Sequence, residues 1–427
     1  MTAAGAPVPA GRRPRDTRGD ATAGGLRGAA ARLESPVTTY YVLLGTTALL
    51  VVFGLVMVLS ASTVTSIEAG GSAFSDFANQ AMFAVLGVVV AAVAAHLPVR
   101  WFRRLAVPAF ATAIALQLLT FTGLGVTVLG NRNWIRLGPV TVQPSEILKL
   151  ALVLLGAVVL SKKQRLLDRP LHVLVPFLVP CVLVGLGLVL KGGDLGTTLV
   201  LVAIVGAVLF TAGVPGRFFG VAAVVAALAV VALVTTSGNR MARVQAYLGG
   251  HCTSDEAASC YQTVHGLYAL ADGGWWGVGL GASKEKWSWL PEAHNDFIFA
   301  IIGEELGLPG TLVVLALFGV LAWACYRLVV RSTDPFVRVA SAGVMVWILV
   351  QALINIGVVI GLLPVIGIPL PLVSSGGSAL VMTLAALGML LAFARNEPGA
   401  RELLAERPSL VRSSLSVLPS RRHRRTP

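Results

Sequence analysis

Charge is scarce in this chain. Asp, Glu, Lys and Arg make up 12% of its 427 residues, against about 25% in an ordinary soluble protein. That deficit excludes a soluble globular fold for most of the length. Cysteine is scarce too, with four residues and no CxxC pair. Nothing in the Cys/His spacing suggests a metal site. Cys181 and Cys325 lie in apolar runs and read as packing residues. Cys252 and Cys260 share one loop, and on the outer side of a membrane they can form a disulfide. Phosphate-binding loops are absent as well: there is no GxxxxGK[ST], and no GxGxxG follows a strand. The cytoplasmic side therefore offers no place for a nucleotide or a nucleotide-sugar.

What fills the chain is apolar sequence: 56% hydrophobic residues and a mean hydropathy of +0.81. About 20 apolar residues span a bilayer core of about 30 Å. Ten such runs are expected, near 39–61, 75–97, 105–125, 143–161, 171–190, 195–213, 217–236, 297–324, 336–360 and 374–394. The fold class is an all-α polytopic membrane protein with about ten transmembrane helices. The net charge of +13 is placed by topology, not by nucleic acid. Most of the 33 Lys and Arg residues fall on the two tails and on alternate loops, the positive-inside pattern. Both termini are then cytoplasmic. Residues 1–36 and 396–427 read as disordered basic tails around a membrane domain of residues 37–395. Residues 237–296, between helices seven and eight, form the one large extracytoplasmic loop.

The informative polar residues gather on that outer side. Residues 291–307 place Glu292, His294, Asp296, Glu304 and Glu305 at the mouth of an apolar run, where ionisable groups cost desolvation energy unless they pair, line water or do chemistry. Asp296 is taken as the centre of activity. Before span four stand Asn133, Trp134 and Arg136, then Pro144 at a helix start, with Glu146 and Lys149 three apart on one helix face. That pair fits either a buried packing contact or a cationic lining for an anionic substrate. Asp194 suits a helix N-cap. The large loop carries Gly273 to Gly281, Lys284 and four tryptophans, which read as interface anchors or sugar-stacking rings. Between spans nine and ten, Pro364, Pro369 and Pro371 break an apolar run, and irregular backbone at this depth needs a protein cover or a cavity. Ser374, Ser375 and Ser378 open the next helix, whose free amides suit phosphate. A site on the outer face has no cytosolic nucleotide, so its substrate arrives already activated, most simply as a lipid-linked diphosphate.

These motifs resemble the SEDS family (shape, elongation, division and sporulation) of polytopic membrane proteins. The matching stretches are Asn133–Ile135, Gln143–Glu146 with Lys149, Asp194–Thr197, Gly279–Gly281, Pro291–Gly307 and Gly361–Ser378. They extend over residues of about 40 to 395. Ala293 and Ile301–Gly307 look more like the division branch than the elongation branch. Three departures stand out: Lys191-Gly192-Gly193 before Asp194, Asn295 where Thr is usual, and Ser375 where a bulkier residue is frequent.

The resemblance implies a peptidoglycan glycosyltransferase that polymerises lipid II onto a lipid-linked glycan strand at the division septum. Its implied partners are a class B penicillin-binding transpeptidase and other divisome membrane proteins. It implies that Asp296 is essential for polymerisation. Asp296 is the expected general base, and the anionic leaving group is a polyprenyl diphosphate. The expected substrate-binding residues are Arg136, Glu146, Lys149, Lys284, Glu292, His294, Ser374, Ser375 and Ser378. A divalent cation suits a diphosphate, although the sequence presents no ligand set for one. Two other readings stand beside this one: a lipid II flippase, and a non-catalytic scaffold that recruits the transpeptidase. Against the flippase, no internal repeat is evident, and the polar residues favour one face over the midplane.

Overall fold

The structure, a computed structural model, describes residues 35–406 except 69, 129–130, 139, 236–237, 239–240, 242–243, 246–260, 288 and 398. Arg240, Arg243, Cys252 and Cys260 lie outside the described residues, as do most of both expected tails. The chain separates into a main unit, Thr39–Glu397, and a small one made of Met1–Thr38 and Pro398–Pro427. In the small unit, Ala400–Glu406 form a helix inside the segment expected to be a disordered tail. Its sequence, Ala-Arg-Glu-Leu-Leu-Ala-Glu, is made of strong helix formers.

The main unit runs α1 (Pro36–Glu68, beginning just before the unit), α2 (Ser75–His96), α3 (Val99–Leu119), β1 (Gly125–Val128), β2 (Asn131–Leu137), β3 (Val140–Val142) and α4 (Pro144–Lys162). It continues with α5 (Pro170–Val173), a π-helical stretch Leu174–Leu183, α6 (Val184–Lys191), α7 (Leu195–Ala212), α8 (Gly216–Thr235), α9 (Tyr261–Gly273), α10 (Ile298–Arg331), α11 (Pro335–Val359) and α12 (Gly377–Arg395). Among the described residues, nine helices are long and apolar enough to cross a membrane. The expected fifth span is the run from α5 to α6. Pro176 and Pro180 cannot donate hydrogen bonds into an α ladder, and the wider π turn accommodates them.

The fold is helical as the apolar runs predict, with one addition. β1, β2 and β3 form an antiparallel meander that pairs Val126 with Trp134 and Ile135 with Val142. Val-Thr-Val recurs in β1 and β3, a strand pattern too short to rival the apolar runs. Asn133 of β2 is buried, and its Oδ1 accepts from Gln117 Nε2 of α3 at 2.9 Å. α4, α7 and α11 pack at the centre, and α12 packs along α2. α8 has no buried residue.

Candidate active site

Asp296 sits in the turns that precede α10 and is half-buried. The turns are organised by Glu292, whose carbonyl accepts from the amides of Asn295 (3.0 Å) and Phe297 (3.2 Å) and whose carboxylate accepts from Asn295 Nδ2 at 3.3 Å. Glu292 adopts φ 57°, a left-handed conformation that costs a non-glycine residue about 1–2 kcal/mol. The carbonyl of Asp296 accepts from Asn355 Nδ2 of α11 at 2.7 Å. Gly367, at φ 78°, lies against the carboxylate: a Cβ there would stand 3.4 Å from Asp296 Oδ2.

The segment between α11 and α12 forms an irregular strap beside this turn. Ser374 Oγ donates to the Asn295 carbonyl at 2.6 Å and accepts from the Leu370 amide at 2.8 Å. The Ser375 amide donates to the His294 carbonyl at 3.0 Å. Gln80 of α2 fastens the strap from the other side, donating to the Ser374 carbonyl and accepting from the Gly376 amide, both at 3.2 Å. Ser378 Oγ accepts from the Gln143 amide at 3.3 Å. The serine cluster, expected as a phosphate cradle, is thus largely engaged within the protein. Ser374 and Ser378 are buried, and the amides of Ser374, Ser375 and Gly376 already have acceptors. A shallow, narrow cleft lies beside the strap, with Gln351, Ser374 and Thr383 among its lining residues.

The candidate cations divide into two kinds. Lys149 Nζ is 2.7 Å from Glu146 Oε1, with side chains 2% and 4% exposed. It also donates to Gln351 Oε1 at 3.0 Å and stands 5.0 Å over the Trp347 ring. Of the two readings open for this pair, the geometry fits the packing contact. Arg136 and Lys284 are exposed; Lys284 Nζ lies 3.8 Å from Asp272 Oδ2. His294 is half-buried, and its Nδ1 is enclosed without a hydrogen-bond partner among the described residues. Asp194 caps α7, accepting from the Thr197 amide (2.8 Å) and from Gln143 Nε2 (3.1 Å).

The acidic group seen in the sequence splits in two. Glu304 and Glu305, both fully buried, serve the loop before α10. Glu304 accepts from Ser283 Oγ at 2.5 Å and from the Lys284 amide at 2.6 Å. Glu305 accepts from Ser60 Oγ of α1 at 2.7 Å and from Lys286 Nζ at 3.0 Å. The glycine-rich run finds its reason here. Gly307 breaks α10 at φ 64°, and a Cβ there would meet the Gly277 nitrogen at 2.4 Å. The ribbon lies directly on the kink. Further along the loop, His265 Nδ1 and Glu285 Oε2 meet at 2.7 Å. Burial pushes the Glu285 carboxyl up, and His265 opposes that shift. Trp275, Trp276, Trp287 and Trp289 are all exposed.

Reasoning from sequence missed the amides Gln80 and Gln351. The available signal was an uncharged polar side chain inside an apolar run. Among the described residues there is no cluster of three or more His, Cys, Asp or Glu that could hold a metal ion.

Residues 40–398 match the family described as cell cycle protein, which covers FtsW, RodA and SpoVE. The chain is 40% identical over 373 residues to the probable peptidoglycan glycosyltransferase FtsW of Mycobacterium tuberculosis, covering 87% of this chain and 70% of the relative. Its fold is similar to a chain from a structure of a peptidoglycan synthase complex that coordinates polymerization and crosslinking, with a TM-score of 0.66 and 27% identity over 83% of this chain and 97% of the other. It is also similar to the rod shape-determining protein RodA of Thermus thermophilus, with a TM-score of 0.61 and 26% identity over 83% and 96% of the two chains.

Proposed function

Because the chain belongs to the cell cycle protein family of FtsW, RodA and SpoVE, we propose that its Asp296 turn is the active site of a glycan polymerase. The protein is a multi-pass membrane peptidoglycan glycosyltransferase of cell division. Its donor and acceptor are lipid II and a lipid-linked glycan strand, met on the outer face of the cytoplasmic membrane at the septum. It works in complex with a class B penicillin-binding transpeptidase and other divisome membrane proteins.

Asp296 takes the proton from the 4-hydroxyl of the acceptor GlcNAc. That oxygen bonds to C1 of the donor MurNAc, the C1–O bond to the diphosphate breaks, and the anomeric centre inverts. The polyprenyl diphosphate leaves with the electron pair. A positioned base contributes typically about 10²–10⁴-fold. The departing charge needs fixed cations; Arg136 and Lys284, both exposed, supply them, while Lys149 stays in its buried pair with Glu146. His294 and Glu292 shape the turn that carries the base.

One observation carries this reading. A half-buried carboxylate stands at the start of α10 with its backbone fixed by Asn355 and with a glycine, Gly367, against it. The test uses the full chain, co-purified with its transpeptidase and supplied with labelled lipid II. Asp296→Ala and Asp296→Asn are expected to yield no glycan while remaining folded. Polymerisation by either variant at the wild-type rate sinks the assignment.

A further inference from the structure

The strap beside Asp296 satisfies only part of its own backbone, through bonds between Leu370 and Ser374. Pro369 and Pro371 have no N–H to give, so the strap forms neither helix nor strand. Its carbonyls still require donors once buried. α11 provides them from one face. Gln351 and Asn355 are four residues apart and address successive carbonyls: Gln351 Nε2 donates to Pro369 at 3.0 Å, and Asn355 Nδ2 donates to Ile368 at 2.7 Å. The same Asn355 Nδ2 also donates to the carbonyl of Asp296 at 2.7 Å. One amide therefore joins two segments, and one of the joined peptides belongs to the proposed base.

Its orientation is not free. Turned over, Oδ1 would face two carbonyl oxygens. In the observed orientation Oδ1 is buried with no hydrogen-bond partner among the described residues, an arrangement that favours the two donated bonds at the expense of the acceptor. Behind the pair, Gln351 Oε1 accepts from Lys149 Nζ and from Trp347 Nε1, both at 3.0 Å. That fixes which way the Gln351 amide points. The Glu146–Lys149 pair thus reaches the strap through Gln351.

We infer that Asn355 is a positioning residue: by donating to both Asp296 and Ile368 it sets the distance between the base and the strap wall at Gly367. This rests on Asp296 being the base. It predicts an effect on rate and not on substrate capture, because Asn355 is itself 2% exposed. A displacement of about 1 Å at a reacting group can cost about 10²-fold.

The experiment compares Asn355→Leu, Asn355→Ala and Asn355→Ser in the full chain with its co-purified transpeptidase. It records kcat and KM for lipid II polymerisation and the thermal midpoint, with Asp296→Ala alongside. Leu fills the volume of Asn without a donor, and Ser keeps a single donor. We expect kcat to fall about 10–100-fold for both Leu and Ala, with KM within about twofold and Ser in between. A packing role instead predicts that Leu restores the rate lost in Ala. Wild-type kcat in Asn355→Leu overturns the inference, as does a loss confined to KM. Should Asn355→Leu fail to fold, Asn355→Ser decides: wild-type kcat there overturns the inference equally. Activity retained in Asp296→Ala would refute the base. An inactive Asp296→Ala beside a fully active Asn355→Leu would refute only the positioning role.

Discussion

Lys286 Nζ and Glu305 Oε1 meet at 3.0 Å with side chains 5% and 0% exposed, joining the loop before α10 to the first turns of that helix. Ser60 of α1 donates to the same carboxylate, and Lys286 donates to the Gly281 carbonyl at 2.7 Å. The loop, α10 and, from 245 positions away, α1 converge on one ion pair. Breaking such a pair on one side leaves a buried charge without its counter-ion, at a cost of about 3–5 kcal/mol. Lys286→Met and Glu305→Leu, each alone, are therefore expected to lower the thermal midpoint strongly. The double variant should recover much of the loss, because it removes both charges. Melting curves of the three proteins in one detergent check this. Additive losses in the double variant would contradict it.

Burial of Glu285 makes stability depend on pH in a defined direction, although its contact with His265 opposes the effect. Burial raises the Glu285 carboxyl above its ordinary 4.5, so between that value and the raised one the folded chain binds more protons than the unfolded chain. Stability then falls as pH rises through that window. Glu285→Gln keeps a polar group against His265 and removes this titration. Midpoints measured upward from pH 4.5 should decline for the wild type and stay flatter for the variant. Parallel curves would contradict the assignment.

Arg136 and Lys284 are the exposed cations assigned to the diphosphate. Each charge-assisted hydrogen bond contributes about 1.5–3 kcal/mol, so Lys284→Ala and Arg136→Ala should each weaken kcat/KM by about tenfold or more. Initial polymerisation rates across lipid II concentrations measure this. An unchanged kcat/KM in both would assign the leaving group to other partners.

Much of the fold was legible because apolar length alone reports a membrane span, and helices keep their own hydrogen bonds local. The Glu146–Lys149 pair and the Asp194 cap were legible for the same reason: their partners stand three residues away. The strap was not. Gln80 binds Ser374 across 294 positions, and Ser60 binds Glu305 across 245. Each of these polar residues, read alone in an apolar run, carries no sign of its partner. The serines after Pro371 were read as a phosphate cradle because their amides open a helix. The Ser374 amide turns back to Leu370, but the acceptors for Ser375 and Gly376 lie in the Asp296 turn and in α2, beyond any local pattern. The meander of β1 to β3 went unseen because three short strands cannot compete with the apolar runs on either side.

α8 exposes every one of its turns. A rod with so little protein beside it is steadied by hydrocarbon and by its two end connections. Its tilt is then a property of the surrounding medium as much as of the chain. Changing bilayer thickness, or exchanging bilayer for micelle, will shift α8 before it disturbs the tightly packed α4, α7 and α11.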